Sequence, residues 1–278
     1  MGFIEQNLDV ASAKPLRRRA ALDPHALANW PTVNLGGLPV TIAGREAVAR
    51  GFVSHVLAHR ESMQRPFYST SSNGEVIALW SRDSEIYRDF QQADHILADG
   101  MPMVFYSRYF TDTPLPERIA TTDLIHDVAR LCVPEGLSFY FLGATERVNE
   151  RAVEAMERLH PGLVFAGRRN GYFRPDEEAD LVDEINASRA DILWVGMGVP
   201  LEQRFILRNL DRLTNISVVK TCGGLFDFLS GDRPRAPYWM QATGFEWAFR
   251  AWQEPLRLGP RYIRTNGTAL WQLFVNSR

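Results

Sequence analysis

The sequence predicts an α/β fold in which a mostly parallel sheet is covered by helices on both faces and followed by a helical appendage. Three observations predict it. Short apolar runs alternate with amphipathic stretches from about residue 33 onward. The turns that close those runs are rich in glycine or carry an acid, as in "ADG", "GMGVP" and "CGGLFDF". After about residue 232 the composition shifts toward arginine and tryptophan. Alternation on this scale is that of a Rossmann-like α/β domain.

From the N-terminus, residues 1–32 form the expected flexible tail, whose basic run "KPLRRR" fits a solvated segment or a contact with acidic lipid. The tail has no apolar core of the signal-peptide kind, and no stretch elsewhere has the length of a membrane-spanning helix, so neither is expected. Residues 33–231 form the expected Rossmann-like α/β domain. Apolar runs place strands at 66–69, 95–98, 137–142, 163–166, 191–195 and 216–221. Amphipathic stretches between them place helices at 44–58, 101–109, 122–131, 146–159, 176–187 and 201–213. Residues 232–278 form the helical appendage, with Trp239, Trp247, Trp252 and Trp271 and seven arginines against Asp232, Glu246 and Glu254. Such a segment can pack on the domain, lie in a membrane interface or reach over an anionic ligand.

The 278 residues suit one large α/β domain, and a net charge of -2 argues against a dedicated nucleic-acid binder. Cys132 and Cys222 lie far apart with no zinc-site spacing, which fits a reducing cytoplasm. There is no serine-nucleophile elbow, no HExxH, no Walker loop and no DxD pair, so neither cofactor nor metal is expected. A diphosphate bound here would be neutralised by arginine, backbone N–H groups or helix dipoles.

Ligands of parallel sheets bind beyond the carboxyl ends of the strands. Asp99, at the end of "HILAD", therefore has two readings: N-cap of the following helix, or general base facing the crevice. Asp123 suits a cap. Arg118 is a surface arginine or a clamp on an anionic group. The "GMGVP" and "LGAT" turns are plain structural turns or contacts for a nucleotide.

Together, "ADG", "PERIATTDL", "FLGAT", "PGLVFAGRRNGYF", "INASRADILWVGMGVP", "GGLFDFLSGDRPRAPYWMQATGFEWAFR" and "QEPLRLGPRY" resemble the WecG/TagA/CpsF family of glycosyltransferases over about residues 33 to 262. The resemblance implies an inverting transfer of a sugar from a nucleotide donor, commonly UDP-linked, to a saccharide on a polyprenyl diphosphate. It implies Asp99 as general base, with Ser71 and Asn73 standing for the family's Thr-x-Asn and Arg118 holding anionic groups. It assigns the donor end of the crevice to Asn170, Gly171, Tyr172, Gly196, Gly198, Gln203, Gly224 and Asp227. Arg235, Arg257 and Arg261 would face the diphosphate, with the appendage touching the inner face of the cytoplasmic membrane and self-association of the chain.

One departure stands out: the family's Pro-Lys-Gln-Glu reads Pro200-Leu201-Glu202-Gln203 here. Adjacent helical residues point about 100° apart, so Glu202 and Gln203 do not simply exchange roles, and a different donor sugar is consistent with the change. The role expected is assembly of exopolysaccharide, capsule or a related surface glycan. Two other functions share this fold: a nucleotide-sugar oxidoreductase or epimerase, against which the missing GxGxxG counts, and a membrane-associated scaffold without turnover.

Overall fold

The computed structural model describes residues 27–62 and 64–277, and the basic run at 14–19 lies outside the described residues. The described chain opens on a short antiparallel hairpin, β1 (Thr32–Leu35) and β2 (Leu38–Thr41), then α1 (Arg45–His59). Next come β3 (Phe67–Ser72), α2 (Gly74–Trp80), α3 (Ser84–Gln91), β4 (His95–Ala98), α4 (Met101–Phe110) and α5 (Thr121–Cys132). The second half continues with β5 (Ser138–Gly143), α6 (Glu146–Leu159), β6 (Val164–Arg169), α7 (Glu178–Ser188), β7 (Ile192–Gly196) and α8 (Leu201–Asn209). It ends with β8 (Val218–Thr221), α9 (Leu225–Leu229), α10 (Tyr238–Thr243), α11 (Glu246–Gln253) and α12 (Pro255–Asn276).

Strands β3 to β8 form one sheet in the order β4-β3-β8-β7-β5-β6, every pair parallel. Side chains alternate across it with the period of two that strands impose. Phe139, Phe141, Ile192, Trp194 and Val218 pack with α1, α5 and α6 on one face. Tyr140, Leu142, Leu193, Val195 and Val219 meet α7 and α8 on the other. Burial on both faces explains why β5, β7 and β8 are buried at every position. The expected α/β sheet with helices on both faces is present.

Several elements differ from the sequence reading. The β1–β2 hairpin was outside it, although Gly36 and Gly37, both at positive φ, supply the left-handed turn that a two-residue hairpin requires. The hairpin, α2, α3, α4 and α12 enclose a separate apolar cluster at the β4 end of the sheet. Strand β3 extends three residues past its expected end, because the polar run after Ser69 pairs with β4 and Thr70 Oγ1 lies 2.8 Å from Thr221 Oγ1. Helix α8 stops at Asn209, whose Nδ2 donates to the Phe205 carbonyl and to Glu178. The residues after 232 are helical, and α12 closes back on the hairpin through Gly37 N–H to the Asn276 carbonyl at 2.8 Å.

Candidate active site

The chain leaves β3 toward one sheet edge and β5 toward the other, so the strand order reverses near the middle. Parallel sheets open a ligand crevice at such a reversal. A cavity of about 690 Å³ lies there, walled by the ends of β3, β4, β5, β7 and β8 and reached by Arg233, Arg250 and Arg261 from the C-terminal segment. Its turns pack too closely for side chains: a Cβ on Gly143 would sit 2.2 Å from the Gly196 carbonyl oxygen, and one on Gly196 2.9 Å from that of Gly223.

Asp99 stands half-buried at the end of β4. Its N–H continues the sheet ladder to the Ser72 carbonyl, and the N-cap of α4 is Gly100, with no side-chain cap bond. The carboxylate instead faces the start of α5, where Thr121 Oγ1 donates to Oδ2 at 3.5 Å. Burial pushes the Asp99 carboxyl up to about 6, and Glu246 adds to the rise while Arg118 and Lys220 oppose it. A carboxylate with that proton affinity, open to a cavity, can accept a proton near neutral pH.

Asp123 is not a cap either. The N-cap of α5 is Ala120, and Asp123 in the first turn binds Arg235 through both oxygens, with Arg45 Nη1 at 3.4 Å. Burial works against its ionisation, but the Arg235 hydrogen bond and the arginine charges hold it below the usual carboxylate range. Arg118 is largely buried, 12% exposed, and pairs with Glu246 at 2.8 Å, so α11 is tied across the Asp99 side of the cavity.

Glu202 is the group that sequence reasoning left without a role. It is buried on the cavity wall, and its Oε2 accepts from the backbone N–H groups of Met197 at 3.3 Å, Gly198 at 3.1 Å and Gly223 at 3.0 Å. One carboxylate thus joins the two glycine turns, and the N–H donors that a phosphate would have used there are taken by the protein itself. Burial pushes Glu202 up to about 7 against those three hydrogen bonds. Gln203, expected at the donor, is fully buried behind the wall, its Nε2 3.2 Å from Thr70 Oγ1.

Of the residues named from sequence, Ser71, Asn73, Asp99, Gly171, Tyr172, Gly196, Gly198, Gly224, Asp227 and Arg261 come together around the cavity. Asn73 is also the N-cap of α2, its Oδ1 accepting from Glu75 and Val76 N–H, which leaves the amide NH₂ for a ligand. Asn170 stands back from the cavity, bonded to Glu146 and to Tyr172 N–H. Arg235 is engaged by Asp123 and Gln241. The side chain of Arg257 lies outside the described residues.

Arg233 and Arg250, unassigned from sequence, reach the cavity with Arg261. Arg233 pairs with Asp227 at 3.2 Å and Arg261 with Glu75 at 2.7 Å, while Arg250 lies over the Phe228 ring. Lys220 was also missed, though a lysine inside the apolar run "ISVVKT" is itself a signal. Among the described residues no cluster of His, Cys, Asp or Glu is placed to hold a metal ion. No helix among them is long and apolar enough to cross a membrane.

A profile of the "Glycosyl transferase WecG/TagA/CpsF family" matches residues 33–278. Among curated proteins, one from Bacillus spizizenii is 29% identical over 206 residues, 74% of this chain and 79% of its own length. One from Staphylococcus aureus is 27% identical over 192 residues, 69% of this chain and 74% of its own. Both are named N-acetylglucosaminyldiphosphoundecaprenol N-acetyl-beta-D-mannosaminyltransferase.

Proposed function

Because the chain belongs to the WecG/TagA/CpsF family of glycosyltransferases, we propose that it moves a sugar from a UDP-linked donor to a saccharide carried on a polyprenyl diphosphate. The observation that carries the reading is the placement of Asp99, a carboxylate raised to about 6, on one side of a cavity whose other lining includes Arg233, Arg250 and Arg261. In this reading the acceptor hydroxyl gives its proton to Asp99 as its oxygen bonds to the anomeric carbon. The bond from that carbon to the diphosphate breaks on the opposite face, which inverts the configuration. The three arginines neutralise the leaving UDP by charge-assisted hydrogen bonds, so the transfer proceeds without a divalent metal.

The names of the relatives point to an N-acetylhexosaminyl donor and an acceptor that begins with N-acetylglucosamine on the lipid diphosphate. Glu202 in place of the family's glutamine leaves the sugar to experiment, and the product would enter a capsule, exopolysaccharide or other surface glycan. In this reading the protein works at the inner face of the cytoplasmic membrane, where it would meet a lipid-linked acceptor. Release of UDP from a panel of UDP-sugars, with EDTA present and a polyprenyl-diphosphate-linked saccharide as acceptor, tests this. Acceptor-dependent release that survives EDTA supports it; release from no donor, or only with an added metal, counts against it.

A further inference from the structure

Lys220 sits in central strand β8 with no solvent exposure, on the face of the sheet that carries Ser71 and meets α5. An ammonium taken out of water is unfavourable unless partners replace the water. Its partners are Ser71 Oγ at 2.8 Å and the Thr221 carbonyl at 2.7 Å, both uncharged. The carboxylates of Asp99 and Glu202 act on it through space.

The hydroxyls beyond it form a line. Ser71 Oγ is 3.3 Å from Thr121 Oγ1, which is 3.5 Å from Asp99 Oδ2. A protonated lysine only donates and an ionised carboxylate only accepts, and this fixes the direction of every link. Ser71 takes a hydrogen bond from Nζ and gives its own hydrogen to Thr121, and Thr121 gives its hydrogen to Asp99. Donors aligned head to tail polarise one another toward the carboxylate.

We propose that Lys220 is a positioning residue for Asp99: through Ser71 and Thr121 it favours the ionised carboxylate and fixes the orientation of Oδ2. This rests on the reading of Asp99 as general base. The proton removed from the acceptor stays on Asp99 and leaves to solvent after turnover, so the line of hydroxyls carries orientation and charge, and no proton need travel along it. A different role would be purely structural, with Lys220 balancing the buried charge of Glu202. The other charged groups facing Asp99 are Arg118, from the loop before α5, and Glu246, from α11. Those facing Lys220, besides Asp99, are Glu202 and the Cys222 thiol. None of them is altered by the variants below.

The test is a carboxyl-carbon NMR titration of Asp99 in the full chain, assigned by comparison with Asp99→Asn, alongside the pH profile of kcat/KM. Asp99 titrates near 6 in the unaltered protein. In Lys220→Met the midpoint moves up by about 1 pH unit, and in Ser71→Ala it moves the same way by less. The acid limb of kcat/KM moves with it, giving a loss of about 10-fold at pH below the limb that disappears well above it. Lys220→Arg, which keeps the charge, holds the limb near its original place. An unmoved Asp99 midpoint in Lys220→Met, with activity lower by one factor at every pH, overturns the proposal. If Lys220→Met does not fold, Ser71→Ala decides, because it breaks the line and keeps the buried charge; an unmoved midpoint there overturns it equally. A moved midpoint in a protein that transfers no sugar upholds the coupling and removes the reading of Asp99 as base.

Discussion

At Asp99 the two roles open to a carboxylate after a strand predict opposite signs of stability. A cap holds its helix, and losing it costs about 0.5 to 2 kcal/mol. A carboxyl raised by burial from 3.8 to about 6 does the reverse. Between those values the folded protein keeps a proton that the unfolded chain has released, so stability falls as pH rises through that window and stays lower above it. Asp99→Asn should therefore stabilise the protein at pH 8 by on the order of 2 kcal/mol and leave it unchanged near pH 3. Thermal denaturation at both pH values reads this directly, and a lower melting temperature at pH 8 would contradict it. Gain of stability on removing a group is the expected mark of a residue kept for chemistry.

Among the elements, α12 joins the site to the surface. Leu258, Tyr262, Thr265, Ala269 and Leu273 recur at spacings of three and four and are buried. Leu256, Ile263, Leu270, Trp271 and Phe274 are exposed apolar residues of the same helix, and Trp239 and Trp252 of α10 and α11 are exposed too. Over its 22 residues, a length of about 33 Å, α12 thus shows apolar residues both to the protein and to solvent, while Arg261 reaches the cavity. We propose that the exposed residues lie in the membrane interface and bring the site to the lipid-linked acceptor. Ile263→Glu or Trp271→Glu should weaken sedimentation with anionic phospholipid vesicles by about 10-fold or more. Transfer to a short-chain, water-soluble acceptor analogue should be retained. Vesicle binding equal to that of the unaltered chain would leave these residues without that role.

Across the whole molecule, what the sequence made legible was what repeats. Apolar runs of β5, β7 and β8, buried on both faces, could be read from hydrophobicity alone, and with them the edge at which Asp99, Gly198 and Gly224 meet. The hairpin and helices α2 and α3 were not read because they are short and owe their burial to a cluster completed by Ala269 and Leu273, nearly 200 residues later. Distance in sequence also hid the partners of the charges. Nothing near Arg118 announces Glu246, and nothing near Asp123 announces Arg235. Glu202 could be noticed as a departure from the family pattern, but its grip on two glycine turns depends on a fold that brings residues 197, 198 and 223 to one oxygen. Of the arginines that reach the cavity, Arg261 was marked by the family motif, but Arg233 and Arg250 could not be told apart from Arg235, since their reach depends on how the C-terminal helices turn back.

The central claim is that Asp99 removes the acceptor's proton during glycosyl transfer. The most direct measurement is single-turnover transfer at pH 8 from a labelled UDP-sugar to the lipid-linked acceptor, with donor affinity measured in parallel, for the unaltered protein and Asp99→Asn. The account predicts equal donor affinity and a transfer rate lower by about 10² to 10⁴ in the variant. Equal rates would contradict it, and the base would have to be sought elsewhere in the cavity.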